Sequence, residues 1–157
     1  MKTTADLSRY DHRLIMADCP IGSRNLMTFE LPRTDGAAVL FVEDESLIRE
    51  FLSMALEDAG FDIVVADSGK AALEALDHNA EPFCAIVTDI NLGPGPDGWA
   101  VARHARAINR ELPVVYMSGA SGWQWTSHGV SNSLLIGKPI SPSEIVDAIN
   151  SLLRRSI

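Results

Sequence analysis

Four short apolar runs in this sequence each end in side chains that could bind a cation or transfer a charged group. Glu43 and Asp44 end the first run, Asp89 the second, Ser118 the third and Lys138 the fourth. Two carboxylates about 4 Å apart repel by roughly 4 kcal/mol at an effective dielectric of 20. If these acidic groups meet, they therefore need a positive partner.

A small cation with oxygen ligands suits three carboxylates, which favours Mg²⁺. A lysine opposite them supplies a fixed positive charge, and a serine supplies a hydroxyl donor. Such groups around one carboxylate can hold a phosphoryl group that is being transferred. That carboxylate can itself be the nucleophile, which would give an aspartyl phosphate.

The elements that would position these groups are five buried parallel strands alternating with helices. Short continuous apolar runs between amphipathic stretches indicate strands of this kind, and ligands bind beyond the carboxyl ends of such strands. We predict strands at 37–42, 62–66, 83–88, 113–117 and 134–137. A helix is predicted after each strand. Gly60 ends the first helix, Ser68 begins the second, and Asp97 caps the third. A brief fourth helix is predicted near Trp123 and Trp125, and a capping box over Ser141–Glu144 begins the fifth.

The whole chain has the size and composition of one α/β domain. It has 157 residues, of which 46% are hydrophobic, and a formal charge of −8. That charge argues against nucleic-acid binding, which needs a basic surface. The chain has no apolar run long enough for a membrane span and no signal peptide, so we expect no membrane association. With two cysteines, one of them (Cys84) predicted to be buried inside the third strand, a cytoplasmic protein is expected.

The first 36 residues differ from the remainder. They are mixed in polarity, contain Pro20 and Pro32, and show little periodicity. We interpret residues 1–36 as an N-terminal extension that is either loosely structured or forms a short helix, and residues 37–157 as the folded domain.

From Ala37 to Leu153 the chain resembles the response-regulator receiver domains of two-component signalling. The matching stretches are Val39–Glu45, Thr88–Leu92, Asp97-Gly98, Met117–Ala120 and Lys138-Pro139. The resemblance implies a doubly wound, flavodoxin-like (βα)₅ fold with strand order 2-1-3-4-5. It also implies that the peptide bond between Lys138 and Pro139 is cis.

Roles for individual residues follow from the same resemblance. Asp89 would be the phosphoacceptor, and Ser118 and Lys138 would contact the phosphoryl oxygens. Asp44 and Asp89 would bind Mg²⁺ directly. The backbone carbonyl of Asn91 would be a third ligand, and Glu43 would act mainly through a metal-bound water.

The sequence departs from the usual receiver pattern in four places. Glu43 replaces the more common aspartate, and the loop containing Gly93–Pro96 makes the stretch from Asp89 to Gly98 one residue longer than usual. Leu135 stands where receivers often have a switching Phe or Tyr. The segment after Ser118 is short, which predicts a reduced fourth helix.

The resemblance implies a stand-alone receiver that is phosphorylated by a sensor histidine kinase or a histidine phosphotransfer protein. It would catalyse only its own phosphotransfer and dephosphorylation, so it is not an enzyme in the usual sense. The chain ends soon after the fifth predicted helix, so we expect output through a downstream protein rather than DNA. A homodimer through the fourth and fifth elements is a further possibility.

Two alternatives remain open. One is a phosphohydrolase of the aspartyl-phosphate type, but such enzymes place a second aspartate where this chain has Asn91, and they carry a substrate cap. The other is a pseudo-receiver that only binds a partner, against which the intact acidic residues, Ser118 and Lys138 argue. For Trp123 and Trp125 we favour core packing over an exposed aromatic patch for partner binding.

Overall fold

A computed structural model describes residues 37–79 and 82–155. The expected N-terminal extension, residues 1–36, lies outside the described residues. The elements in chain order are β1 (Val39–Val42), α1 (Ser46–Asp58), β2 (Ile63–Ala66), α2 (Gly69–His78), β3 (Ala85–Asp89), α3 (Gly98–Ile108), β4 (Val114–Ser118), a 3₁₀ turn (Gly122–Gln124) running into α4 (Trp125–His128), β5 (Ser133–Gly137) and α5 (Pro142–Arg155).

The five strands form one parallel sheet in the order β2-β1-β3-β4-β5. β3 lies at the centre, where Val42 pairs with Thr88 and Asp89 pairs with Met117. β4 and β5 end together, with Ser118 opposite Gly137. The predicted doubly wound fold is therefore confirmed. All strands point the same way, so the residues that follow β1, β3, β4 and β5 meet at one edge of the sheet.

Alternate residues along the central strands bury themselves on opposite faces of the sheet, as a side-chain period of two requires. Val39 and Phe41 pack with α1 and α5 through Leu52, Ile145 and Ile149. On the other face, the alternate strand residues pack with α2 and α3, and the contacting residues include Leu40, Val42, Ile86, Ala72 and Val101. Both faces are covered by helices, which explains why these strands are continuously apolar rather than alternating.

A smaller apolar cluster joins α3 to the region around α4. The ring of Trp99 lies 4.7 Å from that of Tyr116, measured between centroids. Leu135 and Trp125 pack against this cluster. The hydroxyl of Tyr116 accepts a hydrogen bond from the Val130 backbone amide at 3.2 Å, which satisfies its polar end inside the fold.

Side chains cap the helices where the sequence predicts it. The Ser68 hydroxyl accepts from the Ala71 amide, and the Asp97 carboxylate accepts from the Ala100 amide. Ser141 and Glu144 form the reciprocal capping box at α5, with bonds of 3.4 and 3.3 Å. The predicted starts of these three helices are confirmed.

Two sequence expectations are wrong. Cys84 precedes β3 instead of lying within it and is half-buried, because only its amide, bonded to the Ala38 carbonyl, joins the ladder before regular pairing begins at Ala85. Trp123 does not pack in the core, since 78% of it is exposed. The brief helix predicted there is present, but only Trp125 turns inward.

The cis peptide bond predicted between Lys138 and Pro139 is confirmed.

Across residues 37–79 and 82–155, each helix is too short or too polar to cross a lipid bilayer.

Candidate functional site

Three carboxylates meet at the carboxyl edge of the sheet. One oxygen from each of Glu43, Asp44 and Asp89 lies within 4.8 Å of the others. Glu43 and Asp44 are placed by the end of β1, and Asp89 is the last residue of β3. Glu43 is fully buried, Asp89 is 5% exposed, and Asp44 faces solvent. The cluster is therefore buried at Glu43 and Asp89 and open to solvent at Asp44.

Lys138 neutralises part of this charge from the end of β5. Its Nζ atom donates to Oδ2 of Asp89 at 2.8 Å and to Oε2 of Glu43 at 3.3 Å. Burial alone would lower the pKa of the Lys138 ammonium, but the bonds to Asp89 and Glu43 outweigh it and raise that pKa above its usual value. The lysine is therefore a permanent cation at neutral pH.

Glu43 is the most deeply buried acidic residue of the cluster. Burial raises the pKa of its carboxyl to about 7, and the nearby charge of Asp89 adds to the rise. The Glu45 backbone amide and Lys138 act in the opposite direction, and the amide donates to Oε1 of Glu43 at 3.1 Å. This carboxyl is therefore close to the midpoint of its titration near neutral pH, and a cation bound beside it would favour its ionised form.

Arg49 fixes the loop that carries the first two carboxylates. Its Nη1 atom donates to the backbone carbonyl oxygens of Glu43, at 3.0 Å, and Asp44, at 3.2 Å. Arg49 lies on the first turns of α1, so the helix holds the end of β1 in place. Sequence reasoning missed this residue, because a basic residue on an amphipathic helix gives no sign that it reaches back to the preceding loop.

Asn91 contacts the carboxylate of Asp89, and Ser118 ends the neighbouring strand β4. The Ser118 carbonyl accepts from the Lys138 amide at 2.8 Å, which aligns the ends of β4 and β5. The Asn91 amide donates to Oδ1 of Asp89 at 3.3 Å. The Asn91 side chain instead bonds Ser121, whose own amide donates to the Ser118 hydroxyl at 2.9 Å. Ser121 is the second residue that sequence reasoning missed.

Glycines let the backbone close tightly around the acidic cluster. A Cβ on Gly98 would collide with the carbonyl of Asp89, and one on Gly69 would collide with the carbonyl of Pro96. Gly93 and Gly95 have φ values of 71° and 95°, which favour glycine. The longer loop expected at Gly93–Pro96 is thus folded back against the start of α2.

The donor set fits a divalent cation with hard oxygen ligands. With all three carboxylates ionised, Lys138 balances one charge and leaves an excess of two negative charges. Carboxylate and carbonyl oxygens with one side open to water are what Mg²⁺ takes in proteins. The sequence-predicted residues Glu43, Asp44, Asp89 and Lys138 are brought together, and Ser118 and Asn91 lie beside them.

The family profile of the response regulator receiver domain matches residues 39–150. The chain is 32% identical to the response regulator receiver protein CpdR of Brucella abortus (strain 2308) over 117 residues, covering 73% of this chain and 95% of that one. It is also 32% identical to the virulence transcriptional regulatory protein PhoP of Salmonella typhimurium (strain LT2) over 120 residues, but spans only 52% of that relative. A crystal structure of a response regulator receiver protein from Sinorhizobium medicae WSM419 superposes with a TM-score of 0.74 at 36% identity, covering 77% of this chain and 97% of that one.

Proposed function

This chain belongs to the response regulator receiver domain family, and from that we propose that Asp89 accepts a phosphoryl group from a histidine kinase or a histidine phosphotransfer protein. The observation that carries the proposal is the 2.8 Å contact between Lys138 Nζ and Asp89 Oδ2 inside a cluster of three carboxylates. Receiver domains are signalling modules, so the expected chemistry is phosphorylation and dephosphorylation of the protein's own side chain.

In the proposed transfer, a carboxylate oxygen of Asp89 forms a bond to phosphorus while the bond from phosphorus to the donor's imidazole nitrogen breaks. The imidazole leaves with the bonding electrons and takes up a proton. Lys138 stays protonated throughout and faces the charge that builds up on the phosphoryl oxygens. Ser118 is the hydroxyl donor proposed to contact the phosphoryl oxygens.

The residues proposed to hold Mg²⁺ are Asp44 and Asp89 through carboxylate oxygens and Asn91 through its backbone carbonyl, with Glu43 acting through water. Bound there, the ion would neutralise charge on the phosphoryl oxygens and orient them for in-line transfer. The side chain of Glu43 is longer than the usual aspartate, and Lys138 already occupies one of its oxygens. This contact supports an indirect role for Glu43.

An apolar stripe on α1 supports a protein as the phosphodonor. Leu47, Phe51 and Met54 are 75%, 58% and 59% exposed, and their spacing puts them on one side of the helix. α1 begins two residues after Asp44, so the stripe starts beside the acidic cluster. A helical partner that covered it would bring its own reactive residue close to Asp89.

The output is proposed to leave through the face made by the 3₁₀ turn, α4, β5 and α5. Leu135 has no aromatic ring or hydroxyl that could rotate on phosphorylation, so the conformational change has to take place in the loop after Ser118. Exposed Trp123 gives this face an aromatic anchor for a downstream protein or for a second copy of the chain. A cytoplasmic location completes the proposal, because a kinase that uses ATP would meet the receiver there.

The test is intact-protein mass spectrometry after incubation with acetyl phosphate and Mg²⁺. The wild type should gain one phosphoryl group, and Asp89→Asn should gain none, because an amide is not a competent nucleophile here. Asp77→Asn is the matched control: Asp77 is exposed on α2, and this variant should behave as the wild type. A phosphorylated Asp89→Asn protein, or an inert wild type, would overturn the proposal.

A further inference from the structure

The structure points to Ser121 as a positioning residue that prolongs the life of the phosphoryl group on Asp89, an inference that rests on the proposed function. Ser121 bridges two loops that flank Asp89, one after β3 and one after β4. We infer that this bridge holds the Ser118 hydroxyl in place and restricts water at the mouth of the cleft.

The bridge consists of three hydrogen bonds. The Ser121 amide donates to Oγ of Ser118 at 2.9 Å. The Asn91 side-chain amide donates to Oγ of Ser121 at 3.1 Å. The Ser121 hydroxyl donates in turn to Oδ1 of Asn91 at 3.4 Å. The first bond is local in sequence. The two hydrogen bonds between Ser121 and Asn91 join residues thirty positions apart, so they depend on the two loops being folded against each other.

The backbone amide of Ser121 restricts the orientation of the Ser118 hydroxyl proton. A hydroxyl that accepts from an amide must direct its own proton elsewhere, and accepting one bond strengthens the bond that it donates. Ser118 is 4% exposed and lies at the end of β4, the strand that pairs with β3 at Asp89. Its proton is thereby available to a phosphoryl oxygen on Asp89.

Asn91 anchors the other end of the bridge at the nucleophile itself. Its backbone amide donates to Oδ1 of Asp89 at 3.3 Å, while its side chain reaches across to Ser121. The bridge therefore joins the carboxylate of Asp89 to the hydroxyl of Ser118 through two residues. Both side chains of the bridge lie at the solvent side of the cleft, since Asn91 is exposed and Ser121 is half-buried.

Loss of the phosphoryl group requires a water molecule to enter at this point. The water oxygen forms a bond to phosphorus as the bond from phosphorus to the Asp89 oxygen breaks. The products are the Asp89 carboxylate and inorganic phosphate, and the proton from the water goes to phosphate or solvent. A bridge that stays closed slows the entry of water and keeps the Ser118 hydroxyl on the phosphoryl oxygens, so its removal should speed hydrolysis.

The test measures the half-life of the aspartyl phosphate after removal of acetyl phosphate, by intact-protein mass spectrometry. Ser121→Ala should shorten it about three- to tenfold, the effect expected from the loss of one neutral hydrogen bond. Ser121→Thr keeps the hydroxyl and should restore most of the lifetime. Asn91→Ala should shorten the lifetime similarly, and the double variant should add little, because both changes break the same bond.

Ser127→Ala is the matched control, because Ser127 donates to the Gln124 carbonyl on the same segment but away from Asp89. A second readout needs no phosphate: amide exchange at Ser121 should become several-fold faster in Asn91→Ala. If the wild type takes no phosphate, both the proposed function and this inference fail. If it takes phosphate and Ser121→Ala matches the wild-type lifetime, or Ser127→Ala shortens it equally, only the role of Ser121 is overturned.

Discussion

The ammonium group of Lys138 lies 2.8 Å from Oδ2 of Asp89 and 3.3 Å from Oε2 of Glu43, so one cation joins two acidic side chains from different strands. The same lysine donates its backbone amide to the Ser118 carbonyl. Lys138 thus contacts the ends of three strands at once. The consequences of removing it are correspondingly specific.

Lys138→Ala should still become phosphorylated on Asp89, but more slowly. A hydrogen bond to a charged group contributes about 1.5–3 kcal/mol, so we expect the rate to fall by about tenfold or more. The rate of phosphoryl incorporation from acetyl phosphate checks this. Lys70→Ala is the control, since Lys70 is exposed on α2. An undiminished rate in Lys138→Ala would contradict the assignment.

Mg²⁺ should bind the wild type measurably by calorimetry, and Asp44→Asn should weaken that binding at least tenfold. The physical reason is that removing one of three carboxylates removes both a ligand and about half of the excess negative charge. The exposed neighbour Glu45 lies outside the cluster, so Glu45→Gln should bind Mg²⁺ as the wild type does. Equal binding by Asp44→Asn and wild type would show that the ion binds elsewhere.

Gly98→Ala should destabilise the fold by about 1–3 kcal/mol, the usual cost of forcing extra volume into a packed site. The added Cβ would meet the backbone of Asp89 and Ile90, which cannot move without shifting β3. Urea unfolding measures the loss. Gly137→Ala is the control, because a Cβ there meets nothing within 4 Å. Similar free energies of unfolding for the two variants would refute the steric argument.

The Cys84 thiol should react slowly with iodoacetamide in the native protein. Burial raises its pKa from 9.0 to about 11, so at pH 8 its thiolate fraction is roughly a hundredfold lower than that of an ordinary thiol. The rate should climb with pH until the pH approaches 11. A Cys19→Ser background isolates this residue, and the same protein in urea gives the unhindered rate. Native alkylation as fast as that in urea would contradict the prediction.

Sequence periodicity was sufficient to predict the alternating strands and helices and the helix caps, because these depend on local patterns. The strand order was implied by the resemblance to receiver domains, and the sheet confirms it. Sequence periodicity also identified the acidic residues and Lys138, since they lie directly after apolar runs. It did not identify Arg49 or Ser121, whose contacts depend on how loops fold back. The exposure of Trp123 was also missed, because a 3₁₀ turn and a four-residue helix are too short to show which side faces the core.

The three tryptophans occupy three different environments. Trp99 is 4% exposed and its ring is tilted by 55° against that of Tyr116. Trp125 is half-buried with its indole N–H bonded to Ser133, and Trp123 is 78% exposed. The fluorescence of Trp123 should therefore be red-shifted and quenched by iodide, while that of Trp99 should be blue-shifted and protected. The natural chain carries its own optical probes, one in the core, one at the join between α4 and β5, and one on the outer surface. Changes confined to the loop after Ser118 could be followed by quenching without attaching a dye.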